Sequence, residues 1–187
     1  YGQWLNADIP VAKSVSGRVD VTPSQRMLDA KFDFIYINKF DEPITEFIVH
    51  EPMHAKEWSV SIDGGEMQLE NETLGLHKFV FSSPLMPGEE RQGQITVKRQ
   101  HTGFKDRGFD TTLVKNGTFI NNRELLPSFG VQKWGFIQDK VERKKRELPE
   151  LSRTNSIDDT HFHDESYMGK ATDFIDFELT VSTEDGQ

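Results

Sequence analysis

The sequence has no cysteine, no long apolar run and fewer basic than acidic residues, and each shortage excludes a class of protein. Without cysteine, disulfide and thiol chemistry are excluded. No apolar stretch approaches the ~20 residues of a membrane-spanning helix, and no signal peptide is visible. The 22 Lys and Arg against 31 Asp and Glu give a net charge of −9. This charge argues against nucleic acid and anionic lipid as partners, because both need a basic face.

The 187 residues, including 14 Phe, are enough for one domain with a real core. Short segments with alternating apolar and polar residues fill the first two thirds, separated by Gly, Pro and Asp turns. We therefore expect a mostly β fold, with antiparallel sheets in a β-sandwich or saddle-like arrangement. Residues 1–187 are expected to form a single domain. Because the chain begins with Tyr1 rather than Met, we expect a fragment of a longer protein.

Four segments carry the strand prediction in most detail. Residues 14–21 alternate with one apolar face, and residues 27–38 become apolar on both faces, which predicts a central strand covered on both sides. The Asp-Gly-Gly turn at 63–65 predicts a hairpin. Residues 174–181 show the clearest alternation, which predicts a half-buried final strand.

One short helix is predicted near residues 135–147. Apolar residues recur at helical spacing across 134–141, and Asp139 and Arg143 are an i,i+4 pair in the favourable order. Together with the polar loop that follows, this helix forms a helix-plus-loop insertion over 131–169.

The segment around His50 spells H-E-x-x-H, the zinc-binding pattern of many metallopeptidases. Two histidines at i and i+4 converge on a metal only on a helix, with the intervening Glu51 as general base. Pro52 lies between His50 and His54, and proline inside a helix costs ~3 kcal/mol or more. The preceding residues are β-branched and aromatic, so we expect a strand that ends in a loop. Nothing fixes Glu72 as a further ligand.

A second histidine pair, His161 and His163, falls in a polar loop where ligands are not preorganised. A self-contained zinc enzyme would combine one of them with His50 and His54, and Pro52 weighs against it. We therefore assign no catalytic residue and no metal ligand within this chain.

Four segments in order carry a resemblance to a known family: VDVTPSQRMLDAKFDFIYINKFDEPITEFIVH, FSSPLMPGEERQGQITV, NGTFINNRELLPSFG and GKATDFIDFELTVST. Together they resemble the N-terminal β-domain of aminopeptidase N-type zinc metallopeptidases. The order of LLPSFGVQ, a charged helix and DFELTVST is similar to a bacterial subgroup fused to the membrane-spanning permease of an ABC-type transporter. The paired arginines and the Asp-Glu-Pro that usually surround the family's Phe-Pro stretch are absent around Pro127.

The resemblance implies a non-catalytic domain of a membrane-anchored protein. The family's zinc helix follows this domain, so no cofactor is expected here and zinc only in a downstream domain. The implied partners are that zinc domain, whose cleft this domain would wall, and transmembrane spans of the same chain. Peptide is a candidate ligand of the parent, and nucleic acid is not. The implied location is the periplasmic side of a bacterial inner membrane.

The resemblance also points to particular residues. Counted back from Pro127, Asn116 matches the family's cleft-facing amide, although a simple hairpin turn at Asn116-Gly117 is the favoured explanation. An apolar interface toward the neighbouring domain is expected at Leu125, Leu126, Phe129 and Trp134.

A different class of function remains open: a stand-alone extracytoplasmic β-sandwich that binds a ligand or regulates a transporter. Fold does not choose between the two, because β-sandwiches host many functions. The two functions are distinguished by the parent reading frame. It would continue either into an H-E-x-x-H helix with a later Glu or into transmembrane spans.

Overall fold

Two β-sheets packed face to face form the body of the domain. The computed structural model describes residues 4, 7–52, 55–71, 73–102, 112–115, 117–130, 136–150, 156, 158, 160 and 173–184. Within these residues the strands are β1 Val11–Thr22, β2 Met27–Ile37, β3 Ile44–His50, β4 Glu57–Ile62, β5 Gly65–Asn71, β6 Leu76–Leu85, β7 Glu90–Gln100, β8 Leu113–Val114, β9 Gly117–Thr118, β10 Ser128–Phe129 and β11 Asp176–Thr183. The helices are α1 Asn122–Leu125, α2 Lys140–Lys145 and a 3-10 turn Pro23–Gln25.

The strand order explains how the chain builds the sandwich. The first sheet has the order β11-β1-β2-β7-β4, and the second has the order β10-β3-β6-β5. β8 and β9 form a small separate ribbon. β11 runs parallel to β1, and the other paired strands are antiparallel. The prediction of a mostly β, antiparallel sandwich is confirmed.

β2 is the central strand of the first sheet, and its burial alternates with period two. Phe32, Phe34 and Tyr36 are buried on the face toward the second sheet. Ile35 and Ile37 on the opposite face are only partly buried. The prediction that β2 is covered on both sides is therefore wrong, because the second sheet packs against one face of the first.

Aromatic rings fill the space between the sheets. We call Phe34, Tyr36, Phe47, Phe79, Phe81 and Phe129 the aromatic layer. From β2, the Phe34 ring lies 5.7 Å from Phe129, and the Tyr36 ring lies 6.2 Å from Phe81. Phe47 lies 5.4 Å from both Phe81 and Phe129. Such ring pairs add about 0.5–1.5 kcal/mol each beyond the burial of their area.

Two glycines make room for phenylalanine rings of β2. Gly17 of β1 lies opposite Phe32, and Gly93 of β7 lies opposite Phe34. A Cβ added to Gly17 would be 2.1 Å from Phe32 Cδ1, and one added to Gly93 would be 2.2 Å from Phe34 Cζ. Each ring thus lies over the backbone of the neighbouring strand, in the space that a side chain would occupy.

The turn between β4 and β5 joins two different sheets. β4 pairs with β7 in the first sheet, whereas β5 pairs with β6 in the second. The Asp63 N–H donates to the Gln92 carbonyl, and the Ser82 N–H donates to the Gly64 carbonyl, both at 2.9 Å. The predicted hairpin at 63–65 is therefore wrong: the tight turn is present, but it passes the chain from one layer to the other.

Asn38 fixes the loops at one end of the sandwich. Its fully buried Nδ2 donates to the Glu42 carbonyl at 2.8 Å and to the Leu85 carbonyl at 2.9 Å. Its Oδ1 accepts from the Phe40 N–H at 2.9 Å. The side chain thus ties the β2–β3 loop to the end of β6. It connects two of the segments that carry the family resemblance.

Arg99, near the C-terminal end of β7, anchors two later segments of the chain. Its fully buried guanidinium donates from Nη1 to Glu124 Oε2 at 3.3 Å and from Nη2 to Thr112 Oγ1 at 3.4 Å. The segments that carry β8 and α1 are thereby held against the first sheet. Removing one partner of a buried ion pair leaves an uncompensated charge, which typically costs about 3–5 kcal/mol.

The helix α2 lies within the predicted range 135–147. Asp139 does not pair with Arg143 as predicted; its carboxylate caps the helix by accepting from the Glu142 N–H at 2.8 Å. Arg143 instead donates to the carbonyls of Ile137 and Pro149. A carboxylate at the N-cap satisfies a free N–H of the first turn, which explains why it turns away from Arg143.

We expect Gly17→Ala and Gly93→Ala to destabilise the domain by about 1–3 kcal/mol each, the usual cost of overpacking. The reason is that each new methyl group would overlap a buried ring of β2. The matched control is Gly117→Ala, because a Cβ there would meet nothing within 4 Å. Urea denaturation would measure the change, and equal midpoints for all three variants would contradict the proposed role of the glycines.

Candidate functional site

Residues 50–52, the part of the H-E-x-x-H segment that the structure describes, lie at the end of strand β3. His50 is the last residue of β3 and pairs with Leu76 and Ser128 of the flanking strands. This placement agrees with the strand-end position expected from Pro52. His54, Glu72, His161 and His163 fall outside the described residues. Among the residues that the structure describes, no group of three or more His, Cys, Asp or Glu could hold a metal ion.

A second buried histidine, His77, pairs with Val49 and therefore projects from the opposite face of the second sheet to His50. His50 and His77 are each only 4% exposed. The His77 ring meets Trp58 edge-on at 4.7 Å, and its Nε2 lies 3.8 Å from Glu51 Oε2. His77 is on β6 and Trp58 on β4, so this contact joins the two sheets. The sequence analysis missed His77, because nothing local places it near Glu51 or Trp58.

Burial controls the protonation of His50. Desolvation lowers the pKa of His50 below the ordinary 6.5; a hydrogen bond with the Gly75 backbone opposes this shift, and the nearby His77 adds to it. His50 is therefore neutral in the folded domain near neutral pH. A buried, neutral histidine at a strand end is a packing residue of the sandwich, consistent with the argument from Pro52.

The predicted interface segment packs against the domain's own core. Leu125 is 7% exposed and belongs to the core cluster, and Leu126 and Phe129 are partly buried against it. Phe129 is part of the aromatic layer. Trp134, and the cleft residue Asn116, lie outside the described residues. The interface role of this segment stays a prediction, and the packing shows that Leu125 already has a partner inside the domain.

The outer face of the first sheet forms a shallow polar concavity of ≈ 990 Å³. Its charges lie in rows across the strands: Arg18 of β1 lies opposite Lys31 of β2, and Asp20 lies opposite Asp29. The hydrogen bond from Arg18 lowers the pKa of Asp20. Farther across the sheet the signs are mixed, since Lys98 of β7 lies opposite both Asp29 and Glu57, as expected for a solvated sheet face.

Apolar side chains are exposed along β11 and at the residue that precedes it. Four side chains of one face form what we call the apolar stripe: Ile175, Phe177, Leu179 and Val181. Their exposed fractions are 42%, 42%, 36% and 60%. The prediction of a half-buried final strand is wrong in this respect. The alternation is present, but the apolar side is not covered.

The apolar stripe continues the core face of the first sheet. Phe177 pairs with Val15, and Val181 pairs with Val19, and paired residues of neighbouring strands point to the same face. Val15 and Val19 are buried in the core. The second sheet therefore covers β1, whereas the same face of β11 lies beyond its reach.

Polar contacts at both ends hold β11 in place. Asp173 forms an ion pair with Lys39 just before the strand. Just after it, the Glu184 carboxylate accepts from Ser24 N at 2.7 Å and from Ser24 Oγ at 2.6 Å. Together with the continuous ladder to β1, these contacts present the apolar stripe on a fixed strand.

The comparison with solved structures found M1 zinc metallopeptidases, each at low sequence identity and over part of the chain. One mutant from Deinococcus radiodurans, bound to a Tyr-Ser-Ala substrate, is 14% identical with a TM-score of 0.42. The alignment covers 66% of this chain and 30% of the metallopeptidase chain. Another structure from the same organism is 13% identical with a TM-score of 0.38, over 51% of this chain and 21% of its own. A two-domain mutant bound to L-tryptophan is 14% identical with a TM-score of 0.42, over 66% and 30%.

The chain thus spans less than a third of the length of these enzymes, and the similarity concerns the fold alone. No family model and no curated protein matches the sequence. None of the helices in the described part of the chain is long and apolar enough to cross a membrane.

We expect calorimetric titration of the chain with zinc at neutral pH to give no sub-micromolar site. Two histidines at i and i+4 share a metal only on a helix, and His50 ends a strand next to Pro52. A stoichiometric site that His50→Ala abolishes would show that this segment does bind zinc.

Acidification should destabilise the domain partly through His50. Its folded pKa is lowered, so the unfolded chain takes up the proton at higher pH than the folded chain. The stability contribution is complete above the ordinary pKa of 6.5 and is lost as the pH falls toward the folded pKa. We expect His50→Gln to flatten the dependence of the unfolding free energy on pH below 6.5. Denaturation at several pH values measures it.

The matched control is Ile48→Val, which changes a buried residue on the same face of β3. It should lower stability by about 0.5–1.5 kcal/mol at every pH. If the unfolding free energy of His50→Gln depends on pH as steeply as that of the unsubstituted protein, His50 does not contribute to the acid sensitivity.

Proposed function

We propose that this chain is the non-catalytic N-terminal β-domain of an aminopeptidase-like protein that is anchored in a membrane and associated with an ABC-type transporter. In this proposal a zinc domain follows in the same protein. The β-domain packs on that zinc domain and walls its cleft on the periplasmic side of the membrane.

The apolar stripe of β11 is the observation that carries the proposal. It lies on a strand fixed at both ends, and its apolar side chains continue the core without being covered. Contiguous exposed apolar surface usually marks an interface. In the sequence resemblance, the same strand directly precedes the remainder of the family's enzyme. A neighbour that packs on β11 would complete the core at this edge.

The finer parts of the proposal come from the resemblance. Zinc and the catalytic residues belong to the downstream domain, and peptide is the ligand of the cleft. Asn116 would face that cleft. Leu125, Leu126, Phe129 and Trp134 would contribute to the interface, with Leu126 and Phe129 the better placed of the described residues because they are only partly buried.

The polar concavity of the first sheet favours the second candidate function, a stand-alone ligand-binding or regulatory domain of a transporter. Its hydroxyl and charged groups could hydrogen-bond a polar ligand. In that case β11 would need no neighbour, and the apolar stripe would stay exposed in the complete protein.

The test compares the isolated chain with the same chain extended by the residues that follow it in its gene. We expect the isolated chain to release no product from aminoacyl-anilide substrates, and the extended protein to do so in a zinc-dependent manner. Hydroxyl-radical footprinting should label Phe177 and Leu179 in the isolated chain and protect them in the extended protein. Metal-dependent turnover by the repurified isolated chain, or equal labelling of both proteins, would refute the proposal.

A further inference from the structure

The free edge of β11 has the properties of a strand-docking site. β11 is the outermost strand of the first sheet, and among the described strands only β1 pairs with it. Its eight residues pair with β1 in a continuous register without a bulge. Exposed edge strands are usually blunted by proline, lysine or a bulge, and β11 contains none of these. Its outward backbone groups therefore form a regular template for another strand.

The opposite edge of the same sheet differs from β11. On β4, Ile62 is buried, and Trp58 and Val60 are partly buried against the core. The apolar side of β4 is thus already covered, and the chain passes from it directly into the second sheet. The contrast shows that, of the two edges of the first sheet, the β11 edge carries an exposed apolar stripe and the β4 edge does not.

The two faces of β11 define the chemistry of a strand that would pair with it. On the inner face Phe177, Leu179 and Val181 are the β11 residues of the apolar stripe, and on the outer face Asp176 and Glu178 are exposed carboxylates. Side chains directly opposite each other on paired strands interact. Apolar pairs and opposite charges are favourable, and like charges are unfavourable.

We propose that β11 binds an extended segment of alternating apolar and basic residues, which adds to the first sheet as a sixth strand. Its apolar side chains would cover the apolar stripe, and its basic side chains would lie opposite Asp176 and Glu178. This inference rests on the proposed function and deepens it, because it states what the neighbour presents to β11. A second copy of the chain is a poorer complement, since it brings the same acids and a net charge of −9.

The probe is an acetylated peptide of alternating valine and lysine, with eight residues to match β11. The control peptide has the same composition with the valines and lysines in separate blocks. Hydrogen exchange followed by mass spectrometry reports the backbone of β11. We expect the alternating peptide to slow exchange within β11 by at least about tenfold, and the block peptide to have no such effect.

Three variants separate the contributions of the two faces. Leu179→Lys removes the centre of the apolar stripe and should weaken peptide binding by at least about tenfold. Glu178→Lys reverses a charge on the outer face and should weaken it roughly threefold, with less effect at high salt. Glu57→Lys makes the same charge change on β4 and should leave binding unchanged. All three positions are exposed, and circular dichroism checks that the variants fold.

The outcomes separate this inference from the proposed function. Equal effects of the two peptides, or protection of β11 by self-association without peptide, would overturn the inference. In the extended protein, protection of Phe177 and Leu179 side chains without slower exchange of β11 amides would mean that a neighbour packs on the face. The proposed function would then stand and strand addition would fail. Side chains that stay labelled would refute the proposed function itself.

Discussion

Six aromatic rings occupy the space between the two sheets, and the packing of the sheets depends on how those rings are accommodated. Tyr36 projects from β2 toward Phe47, which contacts rings of both β6 and β10, and Phe34 lies against Phe129 of β10. Rings of this size fit above a sheet only where the neighbouring strand leaves space. Gly93 provides that space for Phe34 of the aromatic layer, and Gly17 provides it for Phe32, a further buried ring of β2. The glycines and the rings therefore fix the register of β1, β2 and β7 together.

The aromatic layer also determines where the core ends. The second sheet is one strand narrower than the first and is built around the rings of β3 and β6. Its cover extends to Val15 and Val19 of β1, and the next strand lies outside it. The exposed Phe177, Leu179 and Val181 are thus a consequence of unequal sheet widths. They keep the alternation of a core strand because the ladder with β1 places them on the core face.

Much of the fold could be predicted from the sequence, because alternation with period two is a local property. The faces of β1, the position of α2 and the strand end at His50 all follow from neighbouring residues. Pairing between distant strands does not. The turn at 63–65 is correct as a turn, yet nothing local states that it joins two sheets. Likewise, alternation in β11 shows which side is apolar without showing what covers it, and the buried contacts of Arg99 and His77 join residues far apart in sequence.

The two edges of the first sheet differ in how their apolar sides are covered. An edge strand that only closes a sheet needs its apolar side covered, as β4 has. β11 is instead fixed at both ends by Lys39 and Ser24, so the structure holds in place a surface that has no cover of its own. In water, exposing this surface has a cost of about 25 cal/mol per Å². In the proposed function, residues from outside this domain remove that cost by completing the first sheet at the β11 edge.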